Sequence, residues 1–395
     1  MGEPATRTPW AAVAALGVGI FTMTTLEQLP IGVLTLVSSG LGVAEGVVGL
    51  GVTVPGLLAG ATAAVTPRLA GRADRRRVLA GALAAAAASA AASALAPGAA
   101  TFLASRIIVG FAIGVFWALL GATVARIAAP GDVPRALATA FSGSAAAVVL
   151  GVPLTTWLGA WLGWRGAFAA GAGFAALVAV AVLALVPAGA APAPAGGGGA
   201  ARAWARPGVR FGVVFTLLLV TAHFTAYTYA SPILQELAGV DVTGVGAMLL
   251  LFGAAGIAGN FAAGPLLRRS RRLAVTVLPP GLLAGMGLLA AGHGPAAAAA
   301  AMIVWGLFGG AVSVISQGWV LGAAGEFAEP ASGLNSAAFN VGIAAGSAAG
   351  GLVHAGLPGA PGALGAGGPA AVLAVAAAGM ALTGALAALG ARRRA

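Results

Sequence analysis

Two ionisable side chains stand where charge is costly. Glu27 lies in MTTLEQLPIGVL, residues 23–34, and Leu16–Val37 around it is otherwise uncharged and long enough to cross a bilayer. Arg106 lies well inside the apolar stretch ATFLASRIIVGFAIGVFWALLGATV, residues 100–124. A charged carboxylate at mid-membrane costs on the order of 3 kcal/mol on insertion scales. That cost falls when the group faces a wet cavity or binds a proton, and burial favours the neutral acid. Three roles are open to Glu27: proton coupling, recognition of a polar substrate group, or a structural carboxyl hydrogen-bonded to a neighbouring helix. A guanidinium keeps its charge under all ordinary conditions. Arg106 therefore needs a partner, water, or a route for its head to the surface.

Weaker candidates follow. His223 sits in TAHFTAYTYASP, residues 221–232, beside Tyr227 and Tyr229, and Asn340 sits in NSAAFNVGIAAGSAAGG, residues 335–351. Histidine titrates near neutral pH, so His223 is open to proton coupling or substrate binding, as Asn340 is to lining a cavity. Plain hydrogen bonding is the alternative for both. Gly110, Gly114 and Gly151 permit close helix contact, and Pro153 removes a backbone donor and can kink its helix. Motion and tight static packing are both open to this group. No catalytic or metal-binding set is present. Cysteine is absent, the three histidines are far apart, and no lysine exists to complete a nucleotide-binding P-loop. No enzyme activity and no cofactor is implied.

The elements that must position these residues are membrane spans. The chain has 395 residues, 60% hydrophobic and only 7% charged, against about 25% charged for an ordinary soluble domain. Lipid must solvate most of its exterior. A spanning helix needs about 20 apolar residues, and twelve such stretches are legible, near 11–36, 46–67, 78–96, 99–121, 136–159, 166–187, 210–234, 243–266, 273–292, 296–320, 334–356 and 370–390. The first is too long for a signal-peptide core and is read as a span. Residues 188–208 are Pro- and Gly-rich and read as a flexible linker. They separate an N-terminal bundle, 1–187, from a C-terminal bundle, 209–395. The expected fold is an all-α membrane protein with two pseudo-symmetric six-helix bundles. PRLAGRADRRRVLAGAL after the second span and GPLLRRSRRLAVTVL after the eighth occupy corresponding places, as internal repeats of transporters do.

All 20 basic residues are arginine, which together with the Ala and Gly content suggests GC-rich bacterial coding. With the N-terminus inside, 18 of the 20 fall on inner segments. Arg106 lies within a span and Arg165 falls at an outer loop. This follows the positive-inside rule, puts both termini in the cytoplasm, and explains the net charge of +11 without a nucleic-acid partner.

The layout and local motifs resemble the major facilitator superfamily, in particular its twelve-span drug:proton antiporters and the branch of arabinose and sugar efflux permeases with chloramphenicol-efflux-like members. Six stretches carry the resemblance, which covers essentially the whole chain. Glu27-Gln28-Leu29-Pro30-Ile31-Gly32 is similar to the branch's Glu-Phe-x-Pro-x-Gly, with Gln28 in the aromatic position. Asp74-Arg75-Arg76-Arg77 looks like a shortened form of the loop motif, and Arg106 to Gly114 matches Arg-x-x-x-Gly-x-x-x-Gly. Gly151-Val152-Pro153 resembles the antiporter motif, Gly163-Trp164-Arg165 with Phe168 follows, and the stretches around His223 and Asn340 complete the set. The resemblance implies a monomeric carrier in a bacterial inner membrane, exporting a small molecule in exchange for protons. It implies that Arg106 biases a nearby carboxyl, with Glu27 as candidate partner, and that Asp74, Arg75 and Arg76 gate the inner helix ends. Import on the same fold and a non-transporting sensor are the alternatives. Sugars, nucleosides and antibiotics all fall within the branch.

Overall fold

The computed structural model describes residues 7–70, 73–189, 199–356 and 366–392. Their secondary structure is helical: α1 (Trp10–Gly32), α2 (Leu34–Leu41), α3 (Glu45–Ala70), α4 (Arg75–Ala94), α5 (Ala99–Ile127), α6 (Val133–Ala146), α7 (Val152–Leu185), α8 (Gly199–Ala205), α9 (Pro207–Tyr227), α10 (Ala230–Ala238), α11 (Val242–Arg269), α12 (Arg271–Ala291), α13 (Pro295–Ala324), α14 (Ala328–His354) and α15 (Gly368–Arg392). Residues 190–198 of the expected linker lie outside the described residues, and α8 occupies part of the remainder.

Eleven stretches among the described residues are long and apolar enough to cross a membrane. One of them, Arg135–Leu185, runs for 51 residues. At about 1.5 Å per residue that is more than twice the ~30 Å hydrocarbon core, so it is not one crossing. It breaks at Gly163, where φ is 72° and ψ is 165°, a region essentially closed to residues with a side chain. The expected fifth and sixth spans meet at this corner, and the architecture is consistent with twelve crossings. Within the fifth, a π turn over Ala147–Gly151 precedes Pro153. Proline has no N–H for the carbonyl four residues back, and the wider turn absorbs that loss.

The first and seventh expected spans are each broken into a long and a short helix. α1 gives way to α2 at Val33 (φ −117°, ψ 20°), and α9 to α10 at Tyr229 (φ −105°, ψ 21°). Each short helix ends on a left-handed glycine, Gly42 (φ 65°) and Gly239 (φ 64°), which can adopt that conformation without strain. The internal repeat therefore extends to the backbone. The helix starts on the basic side also correspond, since Asp74 caps α4 and Ser270 caps α12. Asp241 caps α11. Its carboxylate accepts from the Thr243 hydroxyl and, at 3.1 Å, from the Gly244 N–H. These bonds, the Thr243 one first, hold the carboxyl below its usual range, so the cap survives into more acid conditions than an ordinary aspartate would allow.

Contacts divide the chain into two compact units, Met1–Leu29 with Val54–Ala195, and Pro30–Thr53 with Gly196–Ala395. In the first, α4 packs on α5 and α7. Ser89 donates to the Ser105 carbonyl at 2.5 Å, and Arg165 donates to the carbonyls of Ala94 (2.9 Å) and Ala96 (2.8 Å), closing the end of α4. In the second, α11 packs on α13, and α9 on α14 and α15. The α11–α13 contact is backbone on backbone: a Cβ at Gly259 would collide with the Leu307 carbonyl, and one at Gly310 with that of Gly256. Gly259→Val should therefore destabilise the protein by about 1–3 kcal/mol. Gly287→Val, on α12 with nothing within 4 Å of the added carbon, should be close to neutral. Thermal unfolding of the two variants in detergent checks the contrast.

Candidate functional site

The first unit brings Glu27 and Arg106 together. Pro30 lies inside α1 and has no N–H, so the carbonyl of Leu26, four residues back, loses its helical donor. Arg106, fully buried on α5, supplies the replacement. Its Nη2 donates to the carbonyl of Leu26 at 2.8 Å and to that of Glu27 at 3.1 Å. The guanidinium also lies 5.9 Å from the ring centre of Phe168, which stacks edge-on against Phe102 at 5.7 Å. The arginine is thus held between the main chain of α1 and an aromatic wall.

The Glu27 carboxyl is left beside this charge. Glu27 is 7% exposed and its Oε1 has no hydrogen-bond partner, although Glu27 and Arg106 interact electrostatically. A buried carboxyl oxygen without a donor is disfavoured when ionised and is relieved by taking a proton or a donor from a bound molecule. The expected guanidinium–carboxylate partnership takes a specific form: the hydrogen bonds clamp the backbone of residues 26 and 27, and the carboxyl shares the same field.

The glycines of the Arg106 helix face α3. A Cβ at Gly110 would come 2.8 Å from Pro55 Cα, and one at Gly114 2.6 Å from the Ala59 carbonyl oxygen. Gly151, at the end of the π turn, abuts the Thr25 side chain two residues before Glu27. Pro153 follows it in the first turn of α7. Gly151 thus packs on the segment that carries Glu27, while Gly110 and Gly114 pack on α3.

Asp74, Arg75 and Arg76 form a second group in the same unit. Asp74 Oδ1 accepts from the Arg76 N–H at 3.0 Å and from the Gly189 N–H at 3.1 Å, and the Arg75 N–H donates to the Gly189 carbonyl at 3.0 Å. Arg126 donates to the carbonyls of Pro187 (2.9 Å) and Ala188 (3.2 Å). The motif ties the start of α4 to the chain leaving α7.

His223 and Asn340 belong to the second unit. His223 Nδ1 accepts from the Trp305 indole N–H at 3.2 Å, and its ring stacks on Tyr227 (5.4 Å between centres) and Phe252 (6.2 Å). With Nδ1 accepting, the neutral ring carries its proton on Nε2. Asn340 donates only to the Ser336 carbonyl of its own helix, at 2.9 Å. A neighbouring asparagine makes the cross-helix bonds. Asn335 Oδ1 accepts from Thr216 at 2.7 Å, Asn335 Nδ2 donates to Gln317 at 2.6 Å, and Gln317 donates to Ser332 at 2.5 Å. This network joins α9, α13 and α14. Two asparagines five residues apart sit about 140° apart around a helix, and the sequence does not show which one faces in.

Two predictions follow from these bonds. Arg106→Ala should cost about 1–3 kcal/mol by orphaning the Leu26 carbonyl. In a Pro30→Ala background, which restores the helical donor, the same change should cost at least about 1 kcal/mol less. Unfolding of the four members of the cycle measures that coupling. Asn335→Ala should destabilise by about 1–3 kcal/mol, whereas Asn340→Ala should stay within about 0.5 kcal/mol, by the same measurement.

Residues 16–347 match the family model of the Major Facilitator Superfamily. The chain is 34% identical over 350 residues to the "Transcription regulatory protein OpdE" of Pseudomonas aeruginosa, covering 87% of each chain. It is 30% identical over 346 residues to the "Purine ribonucleoside efflux pump NepI" of Salmonella paratyphi C, again covering 87% of each. Among solved structures it resembles the nucleoside transporter NupG, with a TM-score of 0.75 at 13% identity over 96% of this chain and 98% of that one. It also resembles a D-xylose-proton symporter, with a TM-score of 0.74 at 15% identity over 96% of each.

Proposed function

Because the chain belongs to the Major Facilitator Superfamily, a family of transporters and not of enzymes, we propose that it exports a small polar molecule in exchange for protons by alternating access. The bundles 1–187 and 209–395 rock about a central site, with linker 188–208 and both termini on the cytoplasmic face of a bacterial inner membrane. The observation that carries the reading is the buried, unpartnered Glu27 Oε1 beside the clamped Arg106. Glu27 takes a proton from the outer side after substrate leaves, and the neutral carrier resets. Arg106 keeps a positive charge beside that carboxyl throughout the cycle. Asp74, Arg75 and Arg76, bound to the chain that leaves α7, gate the inner helix ends. Gly110, Gly114, Gly151 and Pro153 let the helices around Glu27 shift. The aromatic group around His223, and Asn340 on α14, are candidates for substrate contact. The Salmonella relative makes purine ribonucleosides the first substrate class to assay.

One charge crossing about 100 mV is worth about 2.3 kcal/mol, which sustains roughly a fortyfold gradient. Inverted membrane vesicles energised with a proton gradient should accumulate labelled inosine or guanosine, and an uncoupler should release it. Glu27→Gln should bring the accumulation ratio from as much as about fortyfold towards one, while substrate exchange down its own gradient persists. Normal coupling in that variant overturns the role given to Glu27. Accumulation only in right-side-out vesicles indicates import. The name of the Pseudomonas relative favours one other reading, a membrane sensor, which would show no proton-coupled flux in either orientation.

A further inference from the structure

Glu45 and His354, which the export reading does not use, meet in the second unit. His354 Nε2 lies 3.1 Å from Glu45 Oε2, with the two side chains 13% and 15% exposed. Glu45 Oε2 has no aligned hydrogen bond, so the contact is an ion-pair approach between a carboxylate and an imidazole. The helix ends reinforce it. Glu45 is the first residue of α3 and His354 the last of α14. A helix N-terminus favours negative charge and a C-terminus positive charge, so each side chain, when charged, suits its own helix as well as its partner.

The pair sits at the edge of a close-packed seam. The segment Pro30–Thr53 belongs with the C-terminal helices, and its backbone touches theirs: a Cβ at Gly46 would lie 2.6 Å from the Gly351 carbonyl oxygen. Ser347 donates to the Gly49 carbonyl at 2.8 Å, and Tyr229 donates to the Ser347 carbonyl at 3.1 Å. The Tyr229 ring stacks on His354, 5.6 Å between centres. Among the described residues, the titratable groups facing His354 are Glu45 from α3 and Tyr229 from the α9–α10 junction. His354 Nδ1 is buried and has no hydrogen-bond partner. The arginine distribution assigns this seam to the outer side of the membrane.

We propose that Glu45 and His354 form a second proton-binding site, a latch that holds the 30–53 segment against α14 and the α9–α10 junction when His354 is charged and releases it when His354 is neutral. Its action requires only that the seam part during the transport cycle, and it is independent of whether Glu27 carries the coupled proton. An acid exterior then favours the sealed seam.

The chain has no native cysteine, so spin labels at Ser39→Cys and Ala355→Cys, both exposed, report on the seam without background. Pulsed electron resonance distances are recorded in lipid nanodiscs at about pH 5.5 and about pH 8.5. The ratio of short to long distances should rise at least about threefold at the lower pH, as expected for gain of one charge-assisted contact. His354→Gln and Glu45→Gln should each abolish the response. His354→Arg, whose charge does not titrate, should keep the short distance at both pH values. A pH-independent distribution in the labelled parent, a response retained by His354→Gln, or a seam that still opens at high pH in His354→Arg overturns the latch.

Discussion

A main-chain carbonyl inside a bilayer has no water to turn to, so each break in a helix must be met by a donor from elsewhere. That constraint explains where this chain keeps its isolated charges. Pro30 opens a gap in α1, and Arg106 closes it through the carbonyls of Leu26 and Glu27. α4 ends below its loop, and Arg165 closes it through Ala94 and Ala96. The two arginines that stand apart from the basic segments are thus both bonded to backbone. Asp74 does the converse, accepting the N–H groups of Arg76 and Gly189. A guanidinium suits the first task because it offers several donors in a rigid fork and never loses its charge.

This arrangement separates holding from titrating. Because Arg106 grips the main chain of residue 27, its position does not depend on the protonation state of the side chain next to it. A carboxyl whose neighbour is fixed in this way can change charge without first breaking the bonds that keep α1 in place. The aromatic wall of Phe168 and Phe102 supports the same fixed cation from the other side.

Much of the fold was legible because membrane spans are read from length and hydropathy, and the Major Facilitator Superfamily match agrees with that reading. What stayed hidden was local. The fifth and sixth spans join without a polar loop, since Gly163 alone makes the corner. The first and seventh spans looked continuous, because no charged residue adjoins Val33 or Tyr229 and the breaks are conformational. At the site, residue type marked Glu27 and Arg106, but nothing in the sequence said that the arginine would bond to carbonyls. Asn340 was visible and Asn335 was not singled out, because only helix phase separates them. Glu45 and His354 sit at opposite ends of the sequence, each an unremarkable residue at a helix end, and only the folded chain pairs them.

The Gly163 corner has one further property. Apart from its own stretch of chain, nothing lies within 4 Å of where its β-carbon would be, yet its backbone angles belong to a region that side-chain-bearing residues avoid. Room is plentiful there; handedness is the obstacle. An alanine would twist the bend despite the empty space its methyl would meet.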